Sequence, residues 1–137
     1  MATATTHVLQ AGAIPVRAGR ICLVTSSNGK RWVIPKGLIE PGQSPAEAAL
    51  QEAWEEAGVE GEISTRAVGR YEYEKWGGTC TVSVYLMEVT SEKNDWPERK
   101  LRRRRWMSFK KAIKTIENPV LSEILGHAFE QLQRKEA

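Results

Sequence analysis

The sequence lacks the features of a membrane or secreted protein. None of its apolar runs is long enough to cross a bilayer, which needs about 20 residues. Residues 1–10, MATATTHVLQ, have neither the charged start nor the apolar middle of a secretory signal. Cysteine is scarce, and both Cys22 and Cys80 lie in apolar, strand-like runs, which predicts buried free thiols rather than a disulfide framework. We therefore expect a cytoplasmic protein without a membrane partner.

One strongly acidic segment also lacks basic residues. Residues 37–65 contain seven acidic side chains and no Lys or Arg, although the whole chain has 20 basic against 17 acidic side chains. The run RKLRRRR at residues 99–105 holds six of the basic side chains. A net charge of +3 is too small to imply nucleic acid by itself. At 137 residues and 41% hydrophobic content, residues 1–137 are expected to form one domain with its own core.

Hydrophobic patterning predicts strands, then a helix, then more strands and two final helices. Residues 8–17, 20–26 and 31–35 are predicted strands separated by turns, followed by a loop over residues 36–43. Further strands are expected at 66–73, at 79–90 and in the segment that ends near Phe109. This order indicates an α/β protein whose mixed sheet is covered by helices.

The clearest local prediction is a helix over residues 45–57. Ser44 is the expected N-cap, Pro45 suits the first helical position, and Glu47 completes a capping box. Gly58 is a natural C-terminal stop.

Three glutamates share one face of this helix, namely Glu52, Glu55 and Glu56. Like charges at i,i+4 spacing destabilise a helix by roughly 0.2–0.5 kcal/mol, and the negative end of the helix dipole adds to this. A solvated glutamate face would normally carry Lys or Arg partners four residues away, and this helix contains neither. We therefore expect an external cation. Carboxylates without His or Cys favour a hard ion such as Mg²⁺ or Mn²⁺.

Residues 37–59 resemble the Nudix box, the loop–helix–loop motif of Nudix hydrolases. The matched positions are Gly37, Gln51-Glu52-Ala53, Glu55-Glu56 and Gly58-Val59. The segment WVIPKGLIEPGQSP is similar to diadenosine polyphosphate hydrolases, and residues 102–125 are similar to diphosphoinositol polyphosphate phosphohydrolases. The resemblance implies an α/β/α sandwich with C-terminal helices, and cleavage of a diphosphate linked to another group.

The resemblance also implies roles for individual residues. Glu52, Glu55 and Glu56, with the backbone carbonyl of Lys36, would hold one or more Mg²⁺ ions. One of these glutamates, or a later acid, would accept the proton from the attacking water; the later candidates are Glu92, Asp95 and Glu98.

Two box positions differ from the family pattern. Gln43 stands where family members have Glu, and Gln51 stands where they have the Arg that holds the glutamates by charge-assisted hydrogen bonds. Gln51 can donate a hydrogen bond but brings no positive charge.

Four basic residues are candidates for contacts with an anionic substrate: Lys36, Arg31, Arg103 and Arg105. If the basic run is a strand, Arg103 and Arg105 face one side and Arg102 and Arg104 the other. The arginines could instead pair with the acidic half of the chain, or form a nucleic-acid patch, although no nucleic-acid-binding motif accompanies them. The aromatic residues near the strands could stack on a base or pack in the core; they are Trp32, Tyr71, Tyr73 and Trp76.

The function predicted by these features is a Mg²⁺-dependent pyrophosphohydrolase. Its substrate would be a small anionic polyphosphate, either a dinucleoside polyphosphate or a diphosphoinositol polyphosphate. Two alternatives are a binding domain with a weakened site, which the neutral Gln51 favours, and a protein that binds RNA 5′ ends. No sequence feature predicts an oligomer.

Overall fold

The computed structural model describes residues 6–136 and is built around one long parallel pair of strands. The predicted domain of 1–137 therefore has its first five residues and its last residue outside the described part. In chain order the elements are β1 (His7–Arg17), β2 (Arg20–Thr25), β3 (Trp32–Val33), β4 (Lys36–Leu38), α1 (Pro45–Ala57), β5 (Val59–Ile63), β6 (Gly69–Lys75), β7 (Gly78–Glu92), β8 (Arg104–Ser108), α2 (Phe109–Thr115) and α3 (Pro119–Glu136).

The sheet is mixed, as predicted. β1 and β7 run parallel over ten residue pairs, from His7 opposite Thr79 to Val16 opposite Glu88. The path β3-β2-β1-β7-β5 forms its body, while β4 pairs with β1, β6 with β7 and β8 with β2. All of these other pairings are antiparallel. A parallel pair between strands so distant in the chain needs the long intervening connection that contains α1.

Helices cover both faces of the sheet, which confirms the three-layer α/β/α prediction. On one face α1 packs through four buried alanines, Ala48, Ala49, Ala53 and Ala57. On the other face α2 and α3 bury a stripe that includes Phe109, Leu121 and Leu125. Alternate residues of the strands serve the two layers, so that Ile21 and Leu23 face α2 and α3 while Cys22 and Val24 face α1.

The caps of α1 form as the sequence predicts. The Ser44 side chain accepts a hydrogen bond from the backbone N–H of Glu47, and the Glu47 side chain accepts one from the N–H of Ser44. Gly58 ends the helix in the left-handed region with φ of 67°. These interactions define where α1 begins and ends.

The strands differ from the prediction in three places. The predicted loop over residues 36–43 begins with the short strand β4, which pairs with residues 10–12 of β1. The predicted strand over 31–35 contains only the two residues of β3. β5 was not predicted, because Gly61 stands where the strand alternation would place the apolar residue between Val59 and Ile63. Its pairing with β7 supplies the hydrogen bonds, with a register shift between Glu60 and Gly61.

Cys22 and Cys80 are free and buried, as predicted. Burial raises the pKa of the Cys22 thiol to about 12, so this side chain behaves as a small apolar group.

Among residues 6–136, no helix combines the length and the apolar character needed to span a membrane.

Candidate active site

The candidate site lies where β4 meets the acidic face of α1. The backbone N–H of Lys36 donates a hydrogen bond of 3.1 Å to Oε1 of Glu56. The carboxyl group of Glu52 lies against Gly37, and a Cβ on that glycine would overlap it. The strand therefore approaches the helix closely because position 37 has no side chain.

Two carboxyl groups share this contact region. Glu56 is 5% exposed, and its side chain lies within hydrogen-bonding reach of Glu52. Burial raises the pKa of Glu56 to about 8, and the nearby Glu52 charge adds to the shift. The pKa of Glu52 is also raised, mainly by burial and then by the charge of Glu55. Without a bound cation, this pair favours holding a proton.

Arg102 supplies a positive charge to the pair from outside the helix. Its Nη2 atom lies 3.3 Å from Oε2 of Glu56, and its Nε atom lies 2.8 Å from Oε1 of Glu98. Nη1 donates a hydrogen bond of 2.9 Å to the carbonyl of Thr25. The positive charge that α1 itself lacks is therefore supplied by Arg102, from the loop that connects β7 to β8. This arginine was not among the predicted site residues.

The third glutamate of the face has a different environment. Gln51 donates a hydrogen bond of 2.9 Å to Oε1 of Glu55 and accepts one of 2.6 Å from Gln43. The two glutamines that replace charged family residues thus contact each other and Glu55. Across residues 6–136, no group of three or more acidic, His or Cys side chains has the geometry of a metal centre. The structure brings Glu52 and Glu56 together and leaves Glu55 bound to Gln51.

The donor chemistry at Glu52 and Glu56 fits a hard divalent cation. Both groups are carboxylates, they lie close together, and the glycine beside them leaves room for their approach. Oxygen ligands of this kind suit Mg²⁺ or Mn²⁺ better than softer metals.

The negative end of α1 is capped by groups from the β7–β8 connection. The indole N–H of Trp96 donates to the carbonyl of Glu56 at 3.0 Å, and Nη1 of Arg104 donates to the carbonyl of Ala57 at 2.9 Å. Arg104 also lies 3.2 Å from the carboxylate of Glu92 and stacks on the Trp96 ring. A cation at the C-terminus of a helix offsets the dipole that the glutamates would otherwise oppose.

A cavity of about 360 Å³, here called the site cavity, opens beside Glu56. Lys36 and Arg31 both line it, as does Arg102. The Lys36 ammonium lies 5.1 Å from the centre of the Tyr73 ring, and burial lowers its pKa. Arg31 lies 3.7 Å from Glu117, with both side chains largely exposed. Two of the predicted phosphate contacts therefore converge on one cavity.

The other two predicted phosphate contacts, Arg103 and Arg105, lie in different surroundings. The Arg103 guanidinium lies 5.6 Å from the centre of the Trp32 ring, and Trp32 itself lines the site cavity. Arg105 is exposed in β8 opposite Leu23 and is not among the residues that line the cavity. As the alternation predicted, Arg103 and Arg105 face solvent while Arg102 and Arg104 face the acidic half.

The aromatic candidates also divide. Tyr71 is part of the buried core, and the Tyr73 hydroxyl donates to Oε1 of Gln10 at 2.6 Å. Trp76 is 73% exposed at the turn between β6 and β7. Of the four, Trp32, Tyr71 and Tyr73 line the site cavity.

The three later acids are each paired with an arginine. Glu92 contacts Arg104, and Glu98 contacts Arg102. Asp95 is 90% exposed and lies 3.4 Å from Arg99.

The chain is similar to known proteins of one family. The NUDIX domain family matches residues 6–126. The chain is 36% identical over 114 residues to diphosphoinositol polyphosphate phosphohydrolase 3-beta of Bos taurus, covering 80% of this chain and 68% of that protein. It is 38% identical over 101 residues to Nudix hydrolase 12, mitochondrial, of Arabidopsis thaliana, covering 68% of this chain and 50% of that protein.

A third sequence relative is Nudix hydrolase 16, mitochondrial, of Arabidopsis thaliana, with 31% identity over 118 residues. The matched part spans between 50% and 68% of the length of these three relatives. Among solved structures, the C. elegans Ap4A hydrolase binary complex superimposes with a TM-score of 0.76 and 24% identity, covering 92% of this chain and 98% of that one. The family match over residues 6–126, together with the fold and the box geometry, shows that this chain belongs to the Nudix family.

Proposed function

We propose that this protein is a pyrophosphohydrolase that depends on a divalent cation and cleaves a diphosphate linked to another group. The observation that carries the proposal is the close pair of half-buried Glu52 and buried Glu56, with Glu56 lining the same cavity as Lys36 and Arg31. Carboxylates that hold a cation beside basic side chains that hold phosphates are the two parts that phosphate-anhydride hydrolysis needs. Membership of the Nudix family supports the same reaction class.

The proposed cation is Mg²⁺, with Mn²⁺ as an alternative. Glu52 and Glu56 would hold it, with Glu55 and the backbone carbonyl of Lys36 as further ligands. When bound, the ion supplies positive charge to the phosphate oxygens and makes water a better nucleophile.

The chain itself would bind and orient the substrate. Lys36 and Arg31 are placed to contact phosphate oxygens within the site cavity. The acids of the β7–β8 connection are already paired with arginines, which favours a box glutamate as the acceptor of the proton from the attacking water. The reaction would then release the two halves of the anhydride as separate phosphates.

The proposed substrate is a polyphosphate with four or more phosphates, such as a dinucleoside or diphosphoinositol polyphosphate. The relatives with known names include diphosphoinositol polyphosphate phosphohydrolases and, by fold, an Ap4A hydrolase. Arg103 lies beside Trp32 at the cavity, so a long substrate would reach it first. Arg105 would be reached by a substrate that extends beyond the cavity. The same chemistry predicts weaker use of ADP-ribose, which offers fewer charges.

A substrate panel tests the proposal directly. Hydrolysis is measured with Mg²⁺ and with EDTA, by chromatographic separation of the products, on diadenosine tetraphosphate, an inositol pyrophosphate, ADP-ribose and a 5′-triphosphorylated RNA. We expect Mg²⁺-dependent hydrolysis that is fastest on one of the first two substrates. Equal rates with EDTA would contradict the role of the ion, and preference for the RNA would contradict the small-molecule substrate.

A second candidate is a nucleotide-binding domain without turnover. Two observations favour it: position 51 lacks the positive charge of the family, and Glu55 is bound to Gln51 rather than grouped with Glu52 and Glu56. Calorimetric binding of diadenosine tetraphosphate, with no nucleotide products formed after prolonged incubation, would support this candidate over the enzyme.

We propose a cytoplasmic location on the basis of the two buried free thiols. Two of the plant relatives are named as mitochondrial, so the test is fractionation of cells that express the full-length protein, with mitochondrial enrichment as the contrary result.

A further inference from the structure

One guanidinium beside the site is held by three different parts of the fold. Arg102 contacts Glu56 in α1, Glu98 in its own loop and the carbonyl of Thr25 at the end of β2. Its side chain is 15% exposed. Two of the three contacts, those to Glu98 and Thr25, do not involve the box carboxylates, so they orient the guanidinium independently of what binds at Glu56.

The carboxyl group of Glu56 is in turn held from two sides. The backbone N–H of Lys36 donates to Oε1, and Nη2 of Arg102 lies against Oε2. Each carboxylate oxygen has a second lone pair, so both contacts leave room for a cation. Arg102 therefore orients the group without filling its capacity to bind an ion.

The helix has no residue that could do this in place of Arg102. Residues 45–57 contain no Lys or Arg, and Gln51 donates to Glu55 rather than to Glu56. Of the arginines that follow it, Arg103 and Arg105 are exposed, and Arg104 contacts Glu92 and the carbonyl of Ala57. Among the basic side chains within residues 6–135, Arg102 is the one placed 3.3 Å from a box carboxylate.

We propose that Arg102 is a positioning residue that takes over the charge missing at position 51, orienting Glu56 for the bound cation. The proposal deepens the proposed function, since it assumes that Glu56 is a ligand of that cation. Its physical basis is that a planar guanidinium held by Glu98 and Thr25 directs its remaining Nη2 donor toward Glu56. The sequence change at position 51 is thereby offset by a residue distant in the chain.

The test uses Arg102→Gln, which removes the charge, and Arg102→Lys, which keeps the charge but has a single nitrogen in place of the three that make these contacts. Mn²⁺ affinity is measured by the EPR signal of free Mn²⁺, and kcat and KM are measured on the preferred substrate. We expect Arg102→Gln to weaken Mn²⁺ binding and lower kcat by tenfold or more each, with KM changed less than threefold. Arg102→Lys should lie between this variant and the wild type.

Rescue gives the readout that a merely structural role would not produce. Gln51→Arg should restore at least a third of the lost Mn²⁺ affinity in the Arg102→Gln background, while changing the wild type less than threefold. Arg99→Gln is the matched control, because Arg99 lies in the same loop, is exposed and pairs with Asp95. Circular dichroism and the melting temperature establish folding, and Arg102→Lys carries the test if Arg102→Gln does not fold.

Three results would overturn the proposal. Unchanged Mn²⁺ affinity with a raised KM would make Arg102 a substrate contact, since it also lines the site cavity. Tighter Mn²⁺ binding in Arg102→Gln would make it a competitor of the ion. Equal effects of Arg102→Gln and Arg99→Gln would make it an ordinary surface charge. If the Mn²⁺ affinity depends on Arg102 as expected but the wild type hydrolyses none of the substrates, the proposed function would be overturned and this inference would stand.

Discussion

The backbone N–H of Lys36 donates a hydrogen bond of 3.1 Å to the side chain of Glu56, which joins β4 to α1 at the centre of the candidate site. A short strand that pairs with β1 is thereby held at a fixed distance from the acidic face of the helix. The side chains of Lys36 and Glu56 both line the site cavity. The proposed ion ligands and phosphate contacts therefore come from adjoining residues on a rigid base.

Replacing either Glu52 or Glu56 should abolish turnover without unfolding the protein. We expect Glu52→Gln and Glu56→Gln each to lower kcat by roughly 100-fold or more, because an amide is a poor ligand for a hard cation. Initial rates at saturating Mg²⁺ measure the effect, and circular dichroism checks the fold. Near-wild-type rates in either variant would show that the ion binds elsewhere.

The metal-free protein should lose stability as the pH rises. The pKa of Glu56 is raised from its ordinary value of 4.5 to about 8, so the folded state binds this proton more tightly than the unfolded state. Its contribution is therefore most favourable below about pH 4.5 and is lost progressively up to about pH 8.

Urea unfolding in EDTA at pH 5 and pH 8 measures this effect against Glu56→Gln, which cannot titrate. From pH 5 to pH 8, the free energy of unfolding of the variant should rise relative to that of the wild type by roughly 1–4 kcal/mol. A constant difference between variant and wild type would mean that Arg102 keeps Glu56 ionised throughout.

Gly37→Ala should damage the site more than the fold. The added Cβ would overlap the Glu52 carboxyl group, which must then move away from its position beside Glu56. We expect kcat to fall by roughly 10- to 100-fold and the free energy of unfolding to fall by about 1–3 kcal/mol.

Gly126→Ala is the matched control for that substitution. Gly126 lies within α3, and a Cβ there would meet no atom within 4 Å. This variant should be more stable by about 0.5–1 kcal/mol, with unchanged kinetics. If Gly37→Ala had the same kinetics as this control, the close approach of β4 to Glu52 would have no part in turnover.

The two exposed arginines of the basic run should differ in their effect on KM. Arg103→Ser should raise KM for a tetraphosphate substrate by roughly 3- to 10-fold and for ADP-ribose by less, with a weaker dependence on salt. Arg105→Ser should change KM by less than about twofold for either substrate, since it is Arg103 that lies over the Trp32 ring at the cavity. Equal losses in the two variants would indicate a general surface field rather than a contact at Trp32.

The sequence by itself determined α1 and its face. Ser44, Glu47 and Gly58 act on backbone groups within about four residues of themselves, so the limits of the helix follow from local chemistry. The helical period then places the glutamates on one side. The same locality explains why the turn between the strands predicted at residues 8–17 and 20–26 was predictable.

Tertiary structure alone decided which carboxylates meet and what neutralises them. The burial of Glu56 depends on β4, whose three residues are too few for a periodic pattern and gain their hydrogen bonds from β1. The alternation of the basic run separated Arg102 and Arg104 from Arg103 and Arg105, but gave no sign of which pair would face α1. That choice depends on the pairing of β8 with β2 and on the path of the loop before it, because an ion pair between distant residues forms only where the packed chain brings them together.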